Sequence, residues 1–200
     1  MSKFLLVTVI IVSFLSCNQA KQESEKKKIE DDELAKAILK AESSSIIETK
    51  TFLGFEFGMT ENEVSKHISK LRKEGKVYVN KSDNFQYDFN YNGIEIFLNF
   101  FPEFHDGKLY KMTYPTSSWV GSSKDHIFLM AAFNDTKDGF ESFINEDLMG
   151  EKYFTNIKNN LIVTFKNSRM IYENAPISEL VKLKEEEIEI EKSKSSSSEF

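Results

Sequence analysis

Residues 85–100, FQYDFNYNGIEIFLNF, decide the fold class of this chain. Apolar and polar residues alternate on both sides of Asn92-Gly93, which is typical of β-strands with one buried face. Asn-Gly is also the strongest short signal for a two-residue hairpin turn. Such a turn pairs position 91 with 94, 89 with 96, 87 with 98 and 85 with 100, so the apolar side chains share one face. That face comprises Phe85, Tyr87, Phe89, Tyr91, Ile94, Ile96, Leu98 and Phe100.

A helix is predicted before this hairpin, over Thr60–Glu74. Thr60 and Glu63 have the spacing of a capping box, in which each residue satisfies a free backbone group of the other. Gly75 stands at the usual position of a C-terminal glycine cap. Apolar residues follow at helical spacing and can cover the apolar face of the hairpin; they are Val64, Ile68 and Leu71.

A second tight turn is predicted at Asp106-Gly107, pairing the segment that ends at His105 with Lys108–Tyr114. Pro102 lies in this ladder and indicates a bulge or an edge strand. If no bulge shifts the register, aromatic residues also gather on the second face of the sheet. This candidate binding face comprises Phe97, Phe101, Tyr110, Met112, Tyr114 and Trp119. Two alternatives stay open: further helices cover the face, or it is exposed as a platform for a protein or a glycan.

The second half of the chain repeats this order of helix and hairpins. Two helices are predicted first, over 124–133 and 136–148. Three short strands follow, over 153–157, 161–165 and 169–172. A last helix is predicted from Ser178 to about Ile190. The order predicts an α+β fold with helices packed on one face of a mostly antiparallel sheet, and it suggests two similar halves.

The first residues, MSKFLLVTVIIVSFLSC, have the features of a secretory signal. The apolar run Phe4–Leu15 is shorter than the about 20 residues that a membrane-spanning helix needs. It ends at Phe14-Leu15-Ser16-Cys17, which resembles the lipobox of bacterial lipoproteins, where the cysteine becomes lipidated. The alternative is a buried N-terminal strand.

The resemblance to a lipobox implies a signal peptide over 1–16 and an acylated, palmitate-bearing Cys17 that anchors the protein in a membrane. The residue after Cys17 is Asn18, whereas an aspartate at this position would favour retention in the inner membrane. The resemblance therefore implies that the anchor lies in the outer membrane. We expect a lipidated polar tether over 17–49, a single domain over 50–185 and a charged, Ser-rich tail over 186–200. Within the tether, a short helix over 31–42 and a flexible spacer are both open.

Composition excludes several classes of function. Of 200 residues, 26 are Lys or Arg and 32 are Asp or Glu, giving a formal charge of −6. This acidic balance, without a dense basic block, argues against nucleic acid as a partner. The single cysteine excludes a disulfide framework. The histidines His67, His105 and His126 lack the spacing of a metal motif, and no nucleophile motif or phosphate-binding loop occurs. The sequence therefore predicts no catalytic residue, metal site or cofactor.

Gly58–Val64, GMTENEV, resembles the G-M-[ST]-x-x-x-V motif of small outer-membrane lipoproteins of the BamE/SmpA type. In that family the motif opens the first helix of a fold also seen in the β-lactamase inhibitor protein. The resemblance implies helices packed on an antiparallel sheet, sometimes in tandem. Gly75-Lys76-Val77 follows the helix here, where the family has Gly-x-Pro.

These features predict a lipid-anchored protein of the bacterial cell envelope. The first hypothesis is a non-enzymatic module for protein binding, assembly or inhibition, whose partner is an envelope protein. The alternative is a glycan-binding or small-molecule-binding protein, or a minor hydrolase, with a pocket between the two halves. An open aromatic face would favour the first hypothesis. A pocket that contains His105 or His126 beside a carboxylate would favour the second.

Overall fold

The structure, a computed structural model, describes residues 28–118, 125–146 and 150–197. The predicted signal peptide and Cys17 lie outside the described residues. The chain divides into two units, residues 1–37 and 38–200, and each is described by itself. Residues 28–42 form helix α1, in the segment where the sequence left a short helix and a flexible spacer open.

The described part of the second unit contains further helices and a large sheet. The helices are α2 (Glu61–Lys73), α3 (Asp125–Thr136) and α4 (Ala175–Ser197), with a 3₁₀ turn at Phe52–Gly54. The strands are β1 (Val77–Val79), β2 (Phe85–Tyr91), β3 (Ile94–Asn99), β4 (Phe101–His105), β5 (Lys108–Ser118), β6 (Glu141–Glu146), β7 (Lys152–Lys158), β8 (Leu161–Lys166) and β9 (Arg169–Asn174). None of the helices in the described ranges combines the length and the apolar character needed to cross a bilayer.

One antiparallel sheet joins the two halves of the fold. Its strand order is β1-β2-β3-β5-β9-β8-β7-β6, and β4 pairs with β5 beside this path. The first half contributes α2 and β1–β5, and the second contributes α3 and β6–β9. The last strands of the two halves, β5 and β9, pair at the centre. The predicted α+β class is confirmed.

The first hairpin has the predicted register. Tyr91 pairs with Ile94, and the ladder continues through Phe89–Ile96 and Tyr87–Leu98. Asn92 and Gly93 both have positive φ, 52° and 83°, as the two-residue turn requires. The strand β3 ends at Asn99, so the predicted pair at 85 and 100 lies beyond the ladder.

Helix α2 begins with the predicted capping box. The Thr60 hydroxyl accepts a hydrogen bond from the Glu63 amide at 3.3 Å, and the Glu63 carboxylate accepts one from the Thr60 amide at 2.8 Å. This backbone hydrogen bond is the main cause that lowers the pKa of Glu63. The apolar stripe is buried as predicted and contributes Val64, Ile68 and Leu71 to the core.

The hydrophobic core lies between α2, α3 and one face of the sheet. From α3 it contains Leu129 and Phe133, and from the sheet it contains residues such as Ile96, Leu98, Val163, Phe165 and Tyr172. Helix α4 contacts β5 and β9, and its Lys184 Nζ lies 3.2 Å from His105 Nε2. Helix α4 is also longer than the helix predicted from Ser178 to about Ile190.

The predicted helix over 136–148 is wrong. Helix α3 ends at Thr136, and Gly139 follows with a φ of 77°, which breaks helical geometry. Residues 141–146 then form β6, which pairs along its length with β7. Aromatic and β-branched residues such as Phe143 and Ile144 fit a strand as well as a helix, so pairing with a neighbour decides their conformation.

Candidate functional site

The predicted aromatic face of the sheet does not form as expected, because a bulge shifts its register. His105 pairs with Lys108 as predicted, but the ladder shifts by one residue beyond Phe104, where Glu103 pairs with Lys111. A shift of one residue moves every later side chain to the opposite face. Met112 and Tyr114 therefore lie in the core, each with 0% of its surface exposed. Their placement on the second face was wrong.

The other members of the candidate face have different surroundings. Phe101 is 47% exposed, and Phe97 is half-buried. Tyr110 is buried; its hydroxyl donates to Glu103 Oε2 at 3.4 Å, and burial is the first cause that raises its pKa to about 12. Trp119 lies outside the described residues. The structure thus leaves Phe97 and Phe101 as the partly exposed residues of the predicted set.

A cleft of about 400 Å³ lies between the two halves of the fold. The 3₁₀ turn and β2 form one wall, α3 forms the other, and β9 forms the floor. The volume falls within the range of roughly 300–1,000 Å³ that is usual for small-molecule sites. The lining residues are Phe52, Phe89, Asn90, Tyr91, Leu129, Ala132, Phe133, Asp135, Thr136, Lys137, Met170 and Tyr172.

The floor of the cleft is deeply buried and carries one polar group. Met170 and Tyr172 are 3% and 1% exposed. The Tyr172 ring makes edge contacts with Tyr114 and Phe133, at centroid distances of 6.0 and 6.5 Å. Its hydroxyl makes no hydrogen bond with any described residue, and burial alone raises its pKa well above the usual value. The hydroxyl therefore keeps its proton at neutral pH.

Phe52 forms a wall that is fixed from several sides. Its ring makes edge contacts with Tyr87, Phe89 and Tyr114 at centroid distances of 5.7, 6.1 and 5.6 Å. The Tyr114 hydroxyl donates to the Phe52 carbonyl at 2.9 Å. Leu53 next to it has a φ of 60°, unusual for a residue other than glycine. These contacts hold the turn in place, so the wall is built before any ligand binds.

The mouth of the cleft is polar. The Tyr91 hydroxyl donates to Asp135 Oδ2 at 2.7 Å and so connects β2 with the end of α3. This hydrogen bond is the first cause that raises the pKa of Tyr91. Lys137 Nζ lies 5.8 Å from the centre of the Phe133 ring, a cation–π arrangement. Polar groups thus surround an apolar interior, which is the usual arrangement in small-molecule sites.

The cleft has a composition suited to binding. Among the described residues, its lining includes one carboxylate, Asp135, and no histidine. His105 lies beside Lys184 on α4, and His67 Nε2 lies 2.9 Å from the Leu53 carbonyl; the side chain of His126 is outside the described set. Within the described ranges, no group of three or more His, Cys, Asp or Glu residues could hold a metal ion. The lining therefore offers a ligand a mainly apolar surface and the hydroxyl of Tyr172.

No family model matches the chain, and no curated protein or solved structure matches it either. The similarity of Gly58–Val64 to the BamE/SmpA motif stays a prediction, and so does the similarity of residues 14–17 to a lipobox. Interpretation of the site therefore rests on its geometry.

The sequence predicted a pocket between the halves, with His105 or His126 beside a carboxylate as its favouring feature, but it named none of the residues that line this cleft. Phe89 and Tyr91 were assigned only to the apolar face of the hairpin, and Tyr172 only to a strand. A signal was present: Tyr172 puts a hydroxyl on the core face of β9, where Met170 is purely apolar. It indicates a binding site only when α3 and the 3₁₀ turn are known to form the walls of a cleft around Tyr172.

Proposed function

We propose that this chain is a lipid-anchored protein of the bacterial envelope that binds a small, mainly apolar molecule in the cleft between its halves, without catalysis. The observation that carries the binding role is a ligand-sized cleft with aromatic walls and a buried hydroxyl at its floor. The envelope location and the anchor on Cys17 rest on the sequence of residues 1–17.

Energetic reasoning supports an apolar ligand. The walls formed by Phe52, Phe89, Leu129 and Phe133 offer apolar surface, and removing such surface from water on binding is favourable by about 25 cal/mol per Å². The turn that carries Phe52 is already fixed, so binding orders few groups and loses little of this gain.

The test is the binding of 1-aminoanthracene, an uncharged dye that fluoresces in apolar surroundings, to the full-length chain. Ala132→Trp places a large side chain in the cleft from α3. Asn134→Trp is the matched control, because Asn134 lies on the same helix, is exposed and does not line the cleft. Detergent around the anchor gives the same background in all three proteins.

Wild type and Asn134→Trp should raise the dye fluorescence saturably. Ala132→Trp should weaken binding by about tenfold or more, corresponding to at least about 1.4 kcal/mol. Absence of saturable binding by wild type contradicts the proposal. Equal binding by Ala132→Trp also contradicts it, because the dye would then bind elsewhere.

A second candidate is recognition of an envelope protein by the second face of the sheet. The favouring observation is that Phe101 is 47% exposed and that Phe97 is half-buried. Aromatic side chains dominate binding hot spots. A cross-linking pull-down from native membranes should lose its stoichiometric partner in the Phe97→Ser/Phe101→Ser variant. A partner that is retained by this variant argues against the second face.

A further inference from the structure

We infer that the ligand of the cleft carries an uncharged hydrogen-bonding oxygen at its buried end, as an aromatic ketone does, and that the Tyr172 hydroxyl binds this oxygen. The inference rests on the proposed function, because it concerns the same cleft. It names the chemical class of the ligand and the residue that selects it.

The Tyr172 side chain is almost fully buried, yet its hydroxyl has no hydrogen-bond partner among the described residues. The hydroxyl is not one of the fully enclosed polar atoms that lack a partner, so it opens to the cleft that Tyr172 lines. Almost all buried polar groups in proteins are hydrogen-bonded, because leaving one unpaired is costly. An oxygen on a ligand would provide the missing acceptor.

Tyr114 provides an internal comparison. It lies on β5, the strand paired with β9, and its ring contacts the Tyr172 ring. It is equally buried, yet its hydroxyl donates to the Phe52 carbonyl at 2.9 Å. Of these two neighbouring tyrosines, Tyr114 has a hydrogen-bond acceptor within the protein, whereas the hydroxyl of Tyr172 is left available to the cleft.

The distribution of charge in the cleft favours a neutral group at its floor. The charged residues of the lining, Asp135 and Lys137, are both exposed. Next to Tyr172 the lining consists of residues such as Phe133 and Met170, so an ionised group there would lose its hydration without an ion partner. A neutral oxygen requires only the one donor that Tyr172 offers. Any charged part of the ligand belongs at the mouth.

The shape of the cleft favours a flat aromatic ligand. Phe52, Phe89 and Phe133 line the cleft together with Tyr172. Aromatic rings pair well with other rings in offset or edge arrangements. A flat aromatic body that ends in a carbonyl therefore matches both the walls and the floor.

The experiment compares naphthalene with 2-acetylnaphthalene, which share one ring system and differ by the carbonyl group. Binding is followed by the ¹³C-labelled methyl signal of Met170, a floor residue, in the full-length protein. In wild type the ketone should bind about five- to tenfold more tightly than the hydrocarbon, the usual worth of one hydrogen bond. Tyr172→Phe should abolish this preference, because without the hydroxyl the ketone should bind no more tightly than naphthalene does to the same variant.

Tyr110→Phe is the control and should retain the preference, because Tyr110 is also buried but its hydroxyl donates to Glu103 and it is not among the lining residues of the cleft. Far-UV circular dichroism verifies that each variant is folded. A preference for the ketone that survives in Tyr172→Phe, or is missing in wild type while both probes bind, overturns the inference but not the proposed function. If neither probe shifts the Met170 signal, the proposed function itself fails.

Discussion

Two neighbouring tyrosine-to-phenylalanine substitutions, Tyr172→Phe and Tyr114→Phe, should have different effects on the stability of the protein. Tyr172 and Tyr114 are 1% and 0% exposed and their rings touch, so each change removes one oxygen from a similar environment. The Tyr172 hydroxyl has no partner among the described residues, whereas the Tyr114 hydroxyl donates to the Phe52 carbonyl at 2.9 Å. Removing the hydroxyl that opens to the cleft should leave stability almost unchanged, and removing the paired one should destabilise the protein.

The magnitudes follow from the energetics of buried polar groups. The Tyr172 hydroxyl opens to the cleft, where water can bind it in the ligand-free protein, so Tyr172→Phe should change the free energy of unfolding by less than about 0.5 kcal/mol. Tyr114→Phe loses a hydrogen bond and leaves the Phe52 carbonyl without this donor, so it should lower stability by about 1–2 kcal/mol. For a domain of this size, 1 kcal/mol corresponds to a change in Tm of about 2–4 °C.

The assay is urea unfolding of the ligand-free protein, followed by far-UV circular dichroism and by fluorescence. Coincident transitions and an unchanged m-value would justify a two-state comparison. A loss of stability in Tyr172→Phe similar to that in Tyr114→Phe would refute the reasoning, because the Tyr172 hydroxyl would then be satisfied within the fold.

Three further predictions concern other parts of the chain. Burial raises the pKa of Glu173 above 4.5, although Lys111 acts in the opposite direction, so the folded protein favours the neutral carboxyl. The stability that this preference contributes is fully present below the pKa of the unfolded chain and is lost as the pH rises through the pKa of the folded protein. Glu173→Gln should therefore raise the urea midpoint at pH 7. The gain should shrink as the pH falls from the folded pKa towards 4.5 and be absent below that, while Lys111 keeps its ion pair with Glu103 at 3.3 Å; a gain that stays constant down to low pH contradicts the assignment. Thr60→Ala should cost about 1 kcal/mol of stability and Thr60→Asn much less, measured by urea unfolding; equal losses would exclude a capping role. Cys17→Ala should lose incorporation of labelled palmitate in cells, and retained label would refute the lipobox.

Local signals explain the parts of the fold that the sequence predicted. The register of β2 with β3 follows from Asn92-Gly93 and from strict alternation, both of which lie within one short segment. The start of α2 follows from the Thr60–Glu63 capping box. In both segments the turn or cap residues and the spacing of the apolar residues favour the same structure, so local signals are enough to predict it.

Long-range pairing explains the parts that were missed. The one-residue shift beyond Phe104 depends on how β5 meets both β4 and β9, and it moves Met112 and Tyr114 into the core. Residues 141–146 pair with β7 although their apolar spacing also fits a helix. The cleft was not predictable in detail, because Phe52, α3 and Tyr172 meet only after the sheet has joined both halves.

The most direct test of the central claim is to measure intermolecular nuclear Overhauser effects between bound 2-acetylnaphthalene and the methyl groups of the full-length protein. The account predicts contacts from the ring protons to Leu129 on the wall and Met170 on the floor, both of which line the cleft. It also predicts that Ala132→Trp removes them. Contacts to exposed methyl groups such as those of Leu180 and Leu183, without contacts to Met170, would contradict the claim that the cleft is the binding site.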